Sequence, residues 1–281
     1  MVLSIPQELT DKIIGYLVDD KDALEACSIV SYSFVQECQR SLFSRIIIKG
    51  PKPYPINTQW LRRGGSSVDF MRLLDRSPHL AEYVKSVEIV EVVRPIETSA
   101  GELEDASFNK WLLEDEVVAS CLLRLPNLEG LLLRSYRYDG NGQSRPQAVL
   151  ASLAKPLQML HSVTWAVIND LPPSLLEHLP NLRHAYVAGL MQEPFLDLSQ
   201  PGNPPPITPL RLETLHLRTA YEQNRLISWV LQSRLSIRSL KTLIMDCEDD
   251  WGDIRTNVAD LVARCSNSLE ELILHALFDS V

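Results

Sequence analysis

The sequence predicts an α/β protein in which a small amino-terminal group of three helices precedes a right-handed solenoid of strands and helices with a curved parallel sheet. Three observations predict it. Helix-start signals crowd into residues 1–48, a proline- and glycine-rich stretch follows over 49–67, and one apolar motif then recurs through 68–281. These three spans are the expected helical module, connector and solenoid.

In the module, Ser4 with Gln7, Asp22 with Glu25 and Ser33 with Gln36 each place a small polar residue three positions before Glu or Gln. At that spacing the first side chain accepts a helix N–H and the longer one reaches back, which fixes a helix start. In the first helix Ile5, Leu9, Ile13, Tyr16 and Leu17 share a stripe, whereas Ile14 projects away from it. The second carries Ala23, Leu24, Cys27, Ile29 and Val30, and the third Phe34, Cys38, Leu42 and Phe43. That is more apolar surface than one inward stripe per helix hides. A unit this short buries too little to be robust alone, so the surplus calls for a partner.

The run Ile5-Pro6-x-Glu8-Leu9-x-x-x-Ile13-Ile14-x-Tyr16-Leu17, followed by Leu24 and Val30-Ser31-x-x-Phe34, resembles the F-box motif over residues 4 to about 48. Ile5 replaces the usual Leu, and Tyr32 stands where a basic residue is common. The resemblance implies a helical surface that docks the Skp-type linker subunit of a cullin-RING ubiquitin ligase. Position by position it makes Ile5, Pro6, Leu9, Ile13, Leu24, Val30 and Phe34 the linker-binding candidates, while Leu17, Cys27 and Leu42 read as core.

Residues 50–67 hold Pro51, Pro53, Pro55 and Gly64-Gly65, which interrupt regular structure. Beyond them an apolar residue, two spacers and an alternating apolar triplet recur, in "LPNLEGLLL", "LQMLHSVTW", "LPNLRHAYV", "LRLETLHL", "SLKTLIM" and "SLEELIL". The first anchors are Leu128, Leu160, Leu182, Leu212, Leu240 and Leu269, spaced by 22 to 32 residues, and Val84 begins an earlier copy. Recurrence at such a period marks a solenoid. Each triplet reads as a short strand, its alternate residues facing opposite ways. Helical patterns at Phe70–Leu74, Val117–Leu123, Val149–Leu153, Leu226–Leu231 and Val258–Val262 fall between them, and such crossovers give a parallel sheet with helices on one side. The pattern resembles the leucine-rich repeat family in its longer strand-helix form. The Asn or Cys that usually follows the strand is replaced by Tyr136, Ile168, Leu190, Ala220, Glu248 and Leu277, so the loop backbone needs other partners. Residues 94–112 and 199–209 read as insertions that project as loops.

The family's alternation puts Glu88, Val90, Leu132, Arg134, Thr164, Ala166, Tyr186, Ala188, His216, Arg218, Ile244, Asp246, Ile273 and His275 on the concave side. An extended face rich in Tyr, Arg and His suits protein recognition. Leu132, Arg134, Tyr186, His216, Arg218, Ile244, Asp246 and His275 are the target-binding candidates, for a target protein the sequence leaves unknown. The acidic run Asp246, Glu248, Asp249, Asp250 and Asp253 around Trp251 reads as a solvated turn, without the spacing of a calcium loop.

Composition narrows the function classes. The 281 residues carry 27 Lys and Arg against 36 Asp and Glu, a net charge of −9 that disfavours nucleic acid. The five cysteines lack zinc-ligand spacing and read as reduced thiols. The amino-terminal residues show no basic segment followed by an apolar one, and no long apolar run appears, so neither secretion nor membrane insertion is expected. A cytoplasmic or nuclear location follows. No G-x-S-x-G, G-x-x-x-x-G-K-[ST], G-x-G-x-x-G or H-E-x-x-H occurs, and six scattered histidines make no metal case. No catalytic residue, metal or cofactor is therefore expected. The resemblance implies a substrate-recognition adaptor; a scaffold of the same fold outside the ligase is the alternative.

Overall fold

The computed structural model describes residues 6–49, 65–93, 116–137, 153–169, 171, 173–188, 210–219, 223–233, 235–247 and 251–276. Helices α1 (Gln7–Gly15), α2 (Lys21–Val30) and α3 (Tyr32–Phe43) form the amino-terminal module, with α3 packed on the other two. Its core is Ile14, Leu24 and Cys38, flanked by the partly buried Leu17, Cys27, Phe34 and Leu42. This corrects the expected stripe: Ile14 points inward, whereas Leu9, Ile13 and Tyr16 point out. The inward face of α1 includes Thr10, buried because its hydroxyl back-bonds to the Pro6 carbonyl at 3.4 Å, so a polar residue serves on a core face. All three helix starts move, with Pro6 rather than Ser4 at the cap position of α1. Asp20, not Asp22, caps α2 by accepting from Ala23 N–H at 3.0 Å, and α3 begins after Ser31 rather than Ser33. Asp22 instead lies in the first turn, where a carboxylate complements the helix dipole.

The apolar interior of the module is Ile14, Leu24 and Cys38, too few buried side chains for so short a unit to be robust alone. The module therefore needs its junction with the rest of the chain. Phe43, at the end of α3, packs with Ile46 against the main core. Arg40 stacks over the Tyr83 ring at 5.7 Å, and Gln39 meets His79 at 3.4 Å.

Among the described residues the main sheet has nine parallel strands: β1 (Arg45–Lys49), β2 (Gly65–Ser66), β3 (Ser86–Val93), β4 (Gly130–Arg137), β5 (Trp165–Asn169), β6 (His184–Ala188), β8 (Thr214–Thr219), β10 (Thr242–Cys247) and β11 (Glu271–Ala276). Their order is β11-β10-β8-β6-β5-β4-β3-β1-β2, so apart from the β1–β2 swap each new strand adds at the growing edge. Two short strands, β7 (Leu210–Arg211) and β9 (Leu235–Ser236), pair separately. The sheet starts at Arg45, inside the span that the sequence assigns to the helical module.

Helices α4 (Ser67–Arg76), α5 (Glu116–Leu123), α6 (Gln223–Gln232) and α7 (Trp251–Cys265), with a helical segment over 153–158, cover one side of the sheet. They bury Phe70, Leu74, Leu122, Leu157, Leu226 and Leu261 against the strand positions Ile48, Ile89, Leu133, Ile168, Val187, Leu217 and Met245, which share one column of the register. The α/β class and the parallel sheet are as expected from the alternation.

One repeat is framed differently from the expectation. Ala166 and Ile168 face the core, so Val163 takes the place assigned to Leu160, and Trp165, Val167 and Asn169 face the open side in place of Thr164 and Ala166. Leu160 and Val163 lie three residues apart and both are buried, so spacing alone admits either. The backbone decides: at each strand entry two successive N–H groups share one carbonyl of the previous repeat. Thr164 and Trp165 meet Glu129 O as Glu129 and Gly130 meet Lys85 O, and Arg183 and His184 meet Thr164 O.

Of the positions that replace the usual Asn or Cys after the strand, Leu190, Ala220, Glu248 and Leu277 lie outside the described residues; side-chain bonds are seen instead in the loops that enter the strands. The residue before an anchor donates its side chain to the preceding repeat: Asn127 to Glu82 O at 2.8 Å, Asn181 to His161 O at 2.5 Å, Ser239 to Leu212 O at 3.0 Å and Ser268 to Leu240 O at 2.8 Å. These bonds stitch repeat to repeat. The expected insertions at 94–112 and 199–209 lie outside the described residues.

Candidate protein-docking surfaces

The first surface is the outward side of the helical module. Pro6 is exposed at the entry to α1; Leu9 is 53% exposed and Val30 77%, and Ile13 stands open beside Leu9. Tyr16, Ile29 and Tyr32 add exposed apolar area, and none of the three is among the candidates. Their signal lies in helical geometry: at ~100° per residue, Ile29 and Tyr32 lie more than about 100° around their helices from Leu24 and Cys38 and so face water. Leu24 corrects the candidate set, being wholly buried in the module core and closed to a partner. Phe34 is half-buried against that core, and Ile5 lies outside the described residues. Leu17, Cys27 and Leu42 pack on the core. Burial, then the neighbouring Cys27 and Glu37, pushes the Cys38 thiol up, so it stays protonated and inert.

The second surface is the side of the sheet opposite the helices, which no described helix covers. Its strand positions alternate with the core positions, so register alone sets which side chains become neighbours. Glu88 and Leu132 stand in register on β3 and β4, and Tyr186, His216, Ile244 and Ile273 continue that row through β6, β8, β10 and β11. Two residues further along the strands, Val90 aligns with Arg134, and Ala188, Arg218, Asp246 and His275 align in turn.

Two carboxylates are drawn inward on this face. Glu88 is buried and accepts from Arg45 at 2.6 Å, with Arg134 Nε at 3.3 Å from its other oxygen. Asp246 is buried and takes one histidine on each oxygen, His216 Nε2 and His275 Nδ1, both at 2.9 Å. Burial alone would raise the Asp246 pKa, but the hydrogen bonds and charges of the two histidines outweigh it and hold the carboxyl below its ordinary value. Tyr186 completes the group, its ring edge-on to His216 with centroids 4.5 Å apart.

The structure thus brings Tyr186, His216, Asp246 and His275 together across four adjacent strands, with Ile244 beside them and Arg218 exposed between Ala188 and Asp246. Arg134 belongs to the separate Glu88 group. Leu132 corrects the target-binding set: at 6% exposure, between Glu88 and Val167 in register, it offers almost no surface. Asp246 is likewise enclosed and acts by orienting the imidazoles. His178 meets Gln158 and His184 meets Thr214. Of the acidic run, Glu248, Asp249 and Asp250 lie outside the described residues.

Among the described residues, no group of His, Cys, Asp and Glu side chains is arranged to hold a metal ion, and no helix is long and apolar enough to cross a membrane. No family model matches the chain, and no curated protein or solved structure is significantly similar to it.

Proposed function

We propose that the chain is a substrate-recognition adaptor: the outward side of its helical module docks a Skp-type linker of a cullin-RING ligase, and the open face of its sheet holds a target protein. The supporting observation is the exposure of Leu9, Ile13 and Val30 in a module whose interior is already filled by Ile14, Leu24 and Cys38. Exposed large apolar side chains on so small a unit suit a docking surface. The mechanism is proximity: a target held beside a ubiquitin carrier meets it at a raised effective concentration, and this chain makes and breaks no bond.

Co-expression with a Skp-type linker and pull-down tests the reading. Leu9→Asp and Val30→Asp abolish capture while leaving the thermal melt within about 2 °C of the parent, because exposed sites usually shift stability by under ~0.5 kcal/mol. Phe34→Asp is unsuitable, since that side chain packs on the module core. Linker capture that survives both exposed-site changes, or no capture by the parent chain, refutes the reading.

A further inference from the structure

The two edges of the main sheet differ. At one edge the outermost strand, β2, is two residues long and polar, a short edge that offers little to pair with. At the other, β11 runs Glu271-Leu272-Ile273-Leu274-His275-Ala276 without proline or lysine, and among the described residues no strand pairs with its outer side. Leu272 and Leu274 stand in register with Leu243 and Met245, which are wholly buried, yet they are 42% and 43% exposed. They occupy core positions open to water. Glu271 N–H donates to the Lys241 carbonyl at 2.9 Å, so in the parallel ladder residues 271, 273 and 275 turn their backbone groups to β10. Residues 272 and 274 turn theirs to the free edge.

We infer that β11 pairs antiparallel with β11 of a second copy of this chain, about a two-fold axis at Ile273, joining the two sheets into one. In that register Leu272 and Leu274 of the second copy exchange both backbone hydrogen bonds, and the symmetry repeats the exchange. Their side chains meet on the helix side. Ile273 faces Ile273 as a non-hydrogen-bonded pair, the kind in which side chains approach most closely. Glu271 falls opposite His275. The strand is therefore complementary to itself: an acid, three apolar residues and a base. Moving the axis to Leu272 or Leu274 sets Glu271 or His275 against Ile273, and a slip of one residue opposes helix-side to open-side residues. Any strand satisfies the backbone, whereas the chain's own satisfies the side chains from 271 to 275 as well. His275 donates Nδ1–H to Asp246 at 2.9 Å, and a second proton on Nε2 lets the ring bridge Asp246 and Glu271 of the second copy. Among the described residues, the other charged or titratable groups on its side are His216 and Arg218 on β8 and its own Glu271, which meets the Thr242 hydroxyl at 3.5 Å. The net −9 on each copy is screened beyond ~8 Å at physiological salt and does not forbid the contact. This inference is independent of the adaptor reading.

The test is sedimentation velocity of the purified full chain from about 1 to 100 µM at roughly 0.15 M salt. Six residues a side make a small contact, so the expected dissociation constant is on the order of 10 µM. Leu274→Lys weakens the dimer about tenfold or more with an unchanged melting curve, because lysine on an exposed edge opposes pairing. Leu9→Asp, on the helical module, leaves it unaltered. From pH 8 to pH 6 association tightens about threefold or more in the parent, as the paired state takes up protons, and does not in Glu271→Gln. Cross-linking checks the register without relying on loss of function: under mild oxidation Ile273→Cys yields a disulfide-linked dimer above the parent baseline, and Leu272→Cys yields far less, since residue 272 faces 274. A chain that stays monomeric to 100 µM overturns the inference and leaves the edge to another occupant. Dimers that survive Leu274→Lys, that disappear with Leu9→Asp, that ignore pH, or that fail to cross-link through Ile273→Cys overturn it too.

Discussion

Removing the Asp246 carboxylate probes the arrangement on which the open face depends. Its two oxygens receive separate hydrogen bonds at 2.9 Å, which fixes a proton on His216 Nε2 and on His275 Nδ1. A bond to a charged group contributes roughly 1.5–3 kcal/mol when shielded. His216 is three-quarters buried, so its bond falls in that range, but His275 is mostly exposed and solvent screening reduces its share to ~1 kcal/mol or less. Asp246→Ala therefore costs about 2–3 kcal/mol. Asp246→Asn keeps one acceptor and presents an amide N–H to the other histidine, which must change tautomer to accept it, so the loss is smaller, about 1–2 kcal/mol.

At roughly 2 °C per kcal/mol for a chain of this size, Ala lowers the melting midpoint by about 5 °C and Asn by about half that. Repeats that contact only their neighbours open separately, so hydrogen exchange adds the local readout: β10 and β11 exchange faster, whereas β3 and β4 do not change. The pH sign follows from the depressed carboxyl. Its stabilisation is complete above the ordinary carboxylate value near 3.8 and disappears as pH falls from there through the lower folded value, so the gap between parent and Asp246→Asn closes in acid. Parent-like melting of both variants at neutral pH, or a gap that persists after the carboxyl is protonated, refutes the reasoning.

Gly130→Ala puts a methyl where the Trp165 indole now lies, forcing the ring out of its place; the expected signs are altered tryptophan emission and a loss of about 1–3 kcal/mol by chemical denaturation. Leu24→Ala opens a cavity among three core side chains and costs about 2–5 kcal/mol, enough to unfold the helical module, so limited proteolysis releases its residues while the sheet stays resistant. Asn181→Ala leaves the His161 carbonyl without that donor and weakens the stitch between β5 and β6 by about 1–2 kcal/mol, read as a lower midpoint with faster exchange in those strands.

The alternation around Leu128-x-x-Leu131-x-Leu133 and its copies made strands, helices and parallel order legible, because a half-buried strand and its anchor leave a period that few other structures share. The 160–165 repeat was misframed for a local reason: Leu160 and Val163 are equally good anchors, and only the Glu129 carbonyl, reached across the sheet, selects Val163. The error stayed in one repeat because each strand takes its register from its own entry bonds. Side-chain partnership was less legible. Asp246 lies next to His275 and diagonal to His216 only after strands some 30 residues apart are aligned in register, and no spacing in the chain pairs Glu88 with Arg45.

The helical module shows why apolar periodicity is ambiguous and why that ambiguity has a functional meaning. On α1, residues 9, 13 and 16 form one stripe and residues 10, 14 and 17 another, a single position apart. Counting hydrophobicity favours the first, since the second contains Thr10; the fold chooses the second, since Thr10 satisfies its hydroxyl on Pro6. The stripe that loses this competition is no longer needed for folding. Under the proposed adaptor reading, substitutions there change linker capture with little change in stability, while those at Ile14, Leu24 and Cys38 change stability first. Two stripes with separable effects are what a docking module requires, and substitutions at Leu9 and Leu24, measured for both melting and capture, place each stripe in one role or the other.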